Sequence, residues 1–275
     1  MLNGRTSPLL LALAFLFSAS ILRADDFVVR TYTDPQGKAH AYRLLMPAPY
    51  DPAQKYPVIL FFHGAGQRGD DNLAEIHNAG MFASPANRAK FPCFVIALQV
   101  PHGQQWVNMK WSDKDGIRPA EQSDIMKLDF KILDGVTAEF STDPSRIYLM
   151  GLSMGGYAVW DCITRFPARF AAGVAVCGGG DESTVTPEVA KVPVWAFHSS
   201  DDPTVPVVRS RHMIEAMTKA GGHPHYTEYQ GLGHGSWGKA FAEPELFPWL
   251  FAQRLGQPDT TSVSTPPPPS DAVTP

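Results

Sequence analysis

The sequence predicts an α/β fold: a mostly parallel central sheet with helices on both faces. Short apolar runs bounded by Gly, Pro or Asp recur along the chain, and runs with helical spacing lie between them. Between two compositionally distinct ends lie residues 25–255, and these 231 residues suffice for one large domain. Strands covered on both faces read as continuous apolar stretches rather than alternating ones, and that is the pattern found here.

Taken in order, 27–33 and 39–46 flank Asp34-Pro35-Gln36-Gly37 and read as an antiparallel hairpin. Buried strands are expected at 57–62, 94–100, 146–150, 172–177 and 192–197, with 225–229 closing the series. A helix is expected over 123–140, where Ile125, Leu128, Ile132, Leu133, Val136 and Phe140 recur at helical spacing and Ser141-Thr142-Asp143-Pro144 stops it. A second, over 206–220, places Met213, Ile214 and Met217 on one face and His212 on the solvated side, and Gly221-Gly222 ends it. A third helical run covers 157–166.

The two ends differ from this core. Arg5, the apolar run 9–17 and the small residues around Ala19 and Ala24 follow the order of a secretory signal, with cleavage expected after Ala24. The apolar run is about half of the roughly 20 residues a bilayer span requires, so no stable membrane insertion is expected. Removing 1–24 takes away Arg5 and Arg23 and no acid, which moves the formal charge from −4 to −6. The other end, 256–275, is rich in Pro, Ser and Thr and is expected to be a disordered tail. The segmentation is thus signal 1–24, a single α/β domain 25–255 and tail 256–275, giving a secreted or periplasmic protein.

Composition excludes some partners. With 23 basic against 27 acidic residues and no Lys/Arg run, nothing provides the electrostatic footprint of a nucleic-acid binder. Cys93, Cys162 and Cys177 are too few and too scattered for a disulfide framework or a zinc site, and their apolar neighbours read as core. Asp113-Lys114-Asp115-Gly116 looks like a fragment of a calcium loop but lacks its distal Glu, so neither metal nor cofactor is expected.

The chemistry concentrates in four segments. Gly151-Leu152-Ser153-Met154-Gly155-Gly156 follows a predicted strand and opens a helix, the setting that a G-x-S-x-G turn requires to expose a nucleophilic serine. The hydroxyl of Ser153 needs a base, and the base needs a carboxylate to fix its tautomer. After the strand 192–197, Asp201 and Asp202 compete for the acid, and spacing alone does not decide between neighbours; Asp202 is assigned and Asp201 kept as its rival. His234 is assigned as the base because Gly233 and Gly235 flank it on a loop just past the last strand. Met154 and Ala65 are expected to supply the two backbone N–H groups of an oxyanion hole, Ala65 from the loop His63-Gly64-Ala65-Gly66-Gln67-Arg68-Gly69-Asp70-Asp71-Asn72.

Together these segments, with Asp202-Pro203-Thr204-Val205-Pro206 and Gly233-His234-Gly235-Ser236-Trp237, resemble the α/β-hydrolase superfamily. The narrower resemblance is to the secreted bacterial esterases grouped with polyhydroxybutyrate depolymerases, feruloyl esterases and carbohydrate esterase family one. It covers nearly all of 25–255, departing from the family pattern at Ser199, where glycine is usual, and at Gln67, where Glu is frequent. The resemblance implies a serine ester hydrolase acting through an acyl-enzyme on short-chain, aryl or polysaccharide-linked esters, whether small molecules or polymer-linked. The same triad also serves peptidases and acyltransferases, and a silent binding protein on the same scaffold is the reading from another class. For the substrate, Trp106, Trp111 and Trp237 are candidate stacking surfaces, with structural burial as the competing role. The sequence leaves the oligomeric state open.

Overall fold

The computed structural model describes residues 26–261. The expected signal segment and most of the expected tail lie outside the described residues. Eight strands form one sheet: β1 (Phe27–Thr33), β2 (Ala39–Leu45), β3 (Tyr56–Phe62), β4 (Phe94–Leu98), β5 (Thr142–Leu152), β6 (Ala172–Val176), β7 (Val194–Ser199) and β8 (His225–Tyr229). Their order is β1-β2-β4-β3-β5-β6-β7-β8. The pairs β1/β2 and β2/β4 are antiparallel and every other pair is parallel. Among the described residues six α-helices accompany them: α1 (Pro85–Lys90), α2 (Asp124–Glu139), α3 (Met154–Arg165), α4 (Val208–Lys219), α5 (Trp237–Ala240) and α6 (Leu246–Ala252). This is the α/β-hydrolase fold.

The sheet divides the core into two layers. On β3, Val58, Leu60 and Phe62 face the layer built by α2, α3 and α4, while Ile59 and Phe61 face the layer that contains Phe82 and α6. Period-two alternation thus sends successive apolar side chains to opposite cores, which is why this strand is apolar throughout. Ser123 caps α2 by accepting the amide of Met126. Gly221, with φ +89°, ends α4 in the left-handed region that favours glycine.

Three differences from the sequence reading have local causes. The helices α1, α5 and α6 have six, four and seven residues, too few turns to display a hydrophobic period. The breaker Ser141–Pro144 does stop α2, yet β5 already begins at Thr142, which pairs with Tyr56 before a register shift accommodates the irregularity. Residues 256–261, placed by composition in the tail, are tied to the body through Asp259. Asp259 accepts hydrogen bonds from Trp249 Nε1 (2.8 Å), Gln253 Nε2 (3.2 Å) and His225 Nε2 (3.0 Å). Burial pushes this carboxyl upward, but hydrogen bonds from His225, Thr261 and Trp249 outweigh it and hold it well below the usual carboxylate range.

Two other acids lack such donors. Neither oxygen of Glu75 nor Oδ1 of Asp129 has a hydrogen-bond partner, and burial raises Glu75 to about 7 and Asp129 to about 8. In the unfolded chain both ionise near their ordinary values, so between that range and pH 8 the folded protein binds more protons than the unfolded one. Stability must therefore fall as pH rises through this window. Glu75→Gln should reduce the drop in Tm between pH 5 and pH 8.5 by about 5–10 °C and Asp129→Asn by more, a result that thermal unfolding at both pH values checks. Among the described residues no helix is long and apolar enough to cross a membrane.

Candidate active site

The turn from β5 into α3 holds Ser153 at φ 54°, ψ −119°. Such a backbone is costly for any residue with a Cβ, and close packing maintains it. A Cβ on Gly155 would lie 1.9 Å from the carbonyl oxygen of Phe62, and one on Gly151 would lie 2.3 Å from that of Gly155. Only glycine allows α3 to approach β3 and β5 this closely.

Ser153 Oγ is 2.8 Å from His234 Nε2, and His234 Nδ1 is 2.7 Å from Asp202 Oδ2. Three residues from the ends of β5, β7 and β8 are thus joined in one hydrogen-bonded series at the C-terminal edge of the parallel strands, where open α/β sheets bind ligands. The Asp202 side chain is fully buried, and its Oδ1 accepts the amides of Thr204 (2.8 Å) and Val205 (3.0 Å). Burial acts to raise this carboxyl, but hydrogen bonds from His198, His234, Val205 and Thr204 prevail and hold it well below the usual carboxylate range.

Asp201 points elsewhere. It accepts the Ser199 hydroxyl and the amides of Gly231 (3.1 Å) and Gly233 (3.2 Å), and so fastens the loop that carries His234. Neighbouring carboxylates therefore divide the work: one meets the imidazole and the other holds its loop.

Met154 and Ala65 each begin a helix, α3 and the short 3-10 turn Ala65–Gln67, where first-turn N–H groups have no partner inside the helix. The two segments are adjacent, since a Cβ on Gly64 would come within 3.6 Å of the Ser153 Cβ. His63 explains how the loop is held. Its Nε2 accepts the amide of Val100 (2.9 Å), so Nδ1 carries the proton and donates to Gly64 O (2.7 Å). Burial lowers His63 to about 4, which keeps this neutral arrangement at ordinary pH. Gln99 adds three contacts, donating to Gln67 O and Asp71 Oδ1 and accepting from Asn72 N. Sequence reading placed His63 at the head of this loop without giving it a role and missed Gln99; the available signal was a polar side chain at the end of each buried apolar run.

The three tryptophans separate. Trp106 is 1% exposed, packs edge-on against Phe62 and His63, and donates its indole N–H to His63 O at 3.1 Å. That corrects its expected role as a stacking surface, because the ring presents no open face. Trp111 is half-buried beneath the Arg68 guanidinium, with its carbonyl accepting the Tyr157 hydroxyl. Trp237 is half-buried and lies edge-on to the His234 ring at 5.6 Å. His212, expected on a solvated face, is partly buried, with Nδ1 3.7 Å from Asp115 and 3.6 Å from Glu182. Cys177, Asp202 and His234 form one group whose ligand atoms lie within 4.8 Å of one another, and Asp115, Glu182 and His212 form another. All three cysteines are buried and free.

Comparisons agree with this architecture. A thermostable esterase of known structure is 38% identical with a TM-score of 0.77, over 84% of this chain and 64% of that one. The chain therefore spans a little under two thirds of that esterase's length. The feruloyl esterase module from Clostridium thermocellum, complexed with sinapinate, shares the fold at 16% identity, TM-score 0.56, over 78% of this chain and 83% of that one. A probable carboxylesterase of Oryza sativa subsp. japonica is 26% identical over 200 residues, covering 65% of this chain and 81% of that protein. The profile of the phospholipase/carboxylesterase family matches residues 47–247, and on that match the chain belongs to this family, within the α/β-hydrolase superfamily.

Proposed function

We propose that the protein hydrolyses carboxylic esters through an acyl-enzyme, with Ser153 as nucleophile, His234 as general base and Asp202 as its orienting acid. The observation that carries this reading is the unbroken series from Asp202 Oδ2 through His234 to Ser153 Oγ, with contacts of 2.7 and 2.8 Å. His234 takes the hydroxyl proton as Ser153 attacks the ester carbonyl, and the amides of Met154 and Ala65 stabilise the oxygen that gains charge. The same imidazole returns the proton to the departing alcohol, and water then cleaves the acyl-enzyme. The substrate class is short-chain, aryl or polysaccharide-linked esters; the fold shared with feruloyl esterases and the half-exposed Trp111 and Trp237 support it. Export follows from the segment 1–24, giving a secreted or periplasmic enzyme.

The test is turnover of p-nitrophenyl acetate, butyrate and decanoate, methyl ferulate and acetylated xylan. Serine-dependent hydrolysis of any of these supports the reading, and their ranking sets acyl size against polymer attachment. A chain that reacts with a serine-directed phosphonate but hydrolyses none of them would place the triad in peptide cleavage or acyl transfer. Failure to react with the phosphonate as well would leave a binding protein on the hydrolase scaffold.

A further inference from the structure

Behind Asp202 lies a second imidazole with no place in the triad. His198, the penultimate residue of β7 before the acid loop, is fully buried. Its Nε2 is 3.0 Å from Val205 O and 3.2 Å from Asp202 Oδ2. Its Nδ1 is 2.7 Å from Ser210 Oγ, which is itself 2.9 Å from Gly178 O. Asp202 Oδ2 is therefore approached from two sides, by His234 and by His198.

Counting protons on this network decides its state. Both neighbours of Nε2 are acceptors, a carbonyl and a carboxylate, so Nε2 must carry hydrogen. On the other side the Ser210 hydroxyl has one hydrogen for two neighbours. If that hydrogen went to Nδ1, the buried Gly178 carbonyl would lose its donor. If it goes to Gly178 O, then Nδ1 must itself be protonated to meet the serine oxygen. Only the doubly protonated ring satisfies all four contacts, and the cost of burying its charge is offset by the carboxylate 3.2 Å away.

We propose that His198 is a buried imidazolium and a positioning residue: it anchors Asp202 from behind and neutralises part of its charge, which sets how strongly His234 retains a proton. The other groups around it fit this assignment. Glu228, its register partner on β8, is already engaged by Arg211 and by the Tyr226 hydroxyl. On α4 the contact is the neutral Ser210, and at the end of β6 Cys177, which borders the same carboxylate, is kept a neutral thiol by burial.

The inference rests on the triad reading proposed above, and its two measurements keep the failures apart. In the intact protein with 15N-labelled histidine, both ring nitrogens of His198 should carry bonded protons from pH 6 to pH 8, with the signals assigned by their loss in His198→Gln. A nitrogen without hydrogen in that range overturns the proposal, whatever the enzyme's activity. His198→Gln keeps a donor toward Asp202 but no charge. Its kcat/KM profile on p-nitrophenyl acetate should have an acid limb about 0.5–1 pH unit higher than the parent's, with the two enzymes converging within about threefold at pH 9. A uniform loss at every pH would mark a purely structural role and refute the charge assignment. If Ser153→Ala retains turnover, the triad reading fails instead, and the nitrogen measurement still stands.

Discussion

Ser153→Ala lowers kcat by about four to six orders of magnitude while the protein unfolds at nearly the parental temperature. The two halves of this expectation have separate origins. The backbone at Ser153 is equally strained for serine and alanine, and the serine side chain makes no cap bond to α3, so the exchange removes only the contact to His234 Nε2. What remains after the substitution is the pair of amides and the binding surface, which in serine hydrolases sustain only a residual acceleration. Ester hydrolysis measured beside thermal unfolding checks both halves; a variant that keeps most of its activity would move the nucleophile elsewhere.

Asp202→Asn should reduce kcat by about four orders of magnitude, and Asp201→Asn by about tenfold or less. An asparagine at 202 turns its NH2 toward either His234 Nδ1 or the amides of Thr204 and Val205. Those amides are fixed donors, whereas the His234 imidazole can move its proton to Nε2, so the NH2 faces that ring, leaves His198 Nε2 to Val205 O, and reverses the His234 tautomer. Nε2 then carries hydrogen toward Ser153 Oγ and cannot accept another. Asp201 is exposed, and its hydrogen bonds to Gly231 and Gly233 survive partly in asparagine through the remaining carbonyl oxygen. Steady-state kinetics of the two variants on one ester separates them, and a crippled Asp201→Asn beside an active Asp202→Asn would exchange their roles.

How much of this was legible from residues alone depended on how local the cause was. Gly151, Ser153 and Gly155 were readable because the elbow is made by neighbours in sequence, and the strands because burial on both faces leaves them apolar. The choice between Asp201 and Asp202 was not, since it is made by amides at 204 and 205 and by imidazoles at 198 and 234 that the fold gathers from two loops. Trp106 was misread for a similar reason: its indole N–H finds the His63 carbonyl 43 residues away. His198 did leave a trace, as a polar side chain at the end of a strand otherwise apolar. A buried polar residue in such a run requires partners, and asking for them would have led to the acid loop.

The strand order also sets a span. Ser153 leaves the sheet from β5 and His234 from β8, three positions away, or about 14 Å at the usual spacing. The loop beyond Tyr229 bridges that distance as a cantilever, clamped by Asp201 at Gly231 and Gly233. Its footing is the outermost strand, bonded to the sheet along one side only. The alignment of Ser153 with His234 therefore inherits the rigidity of the margin of the sheet rather than that of its centre, and fraying of β8 would separate the two before the interior felt any loss.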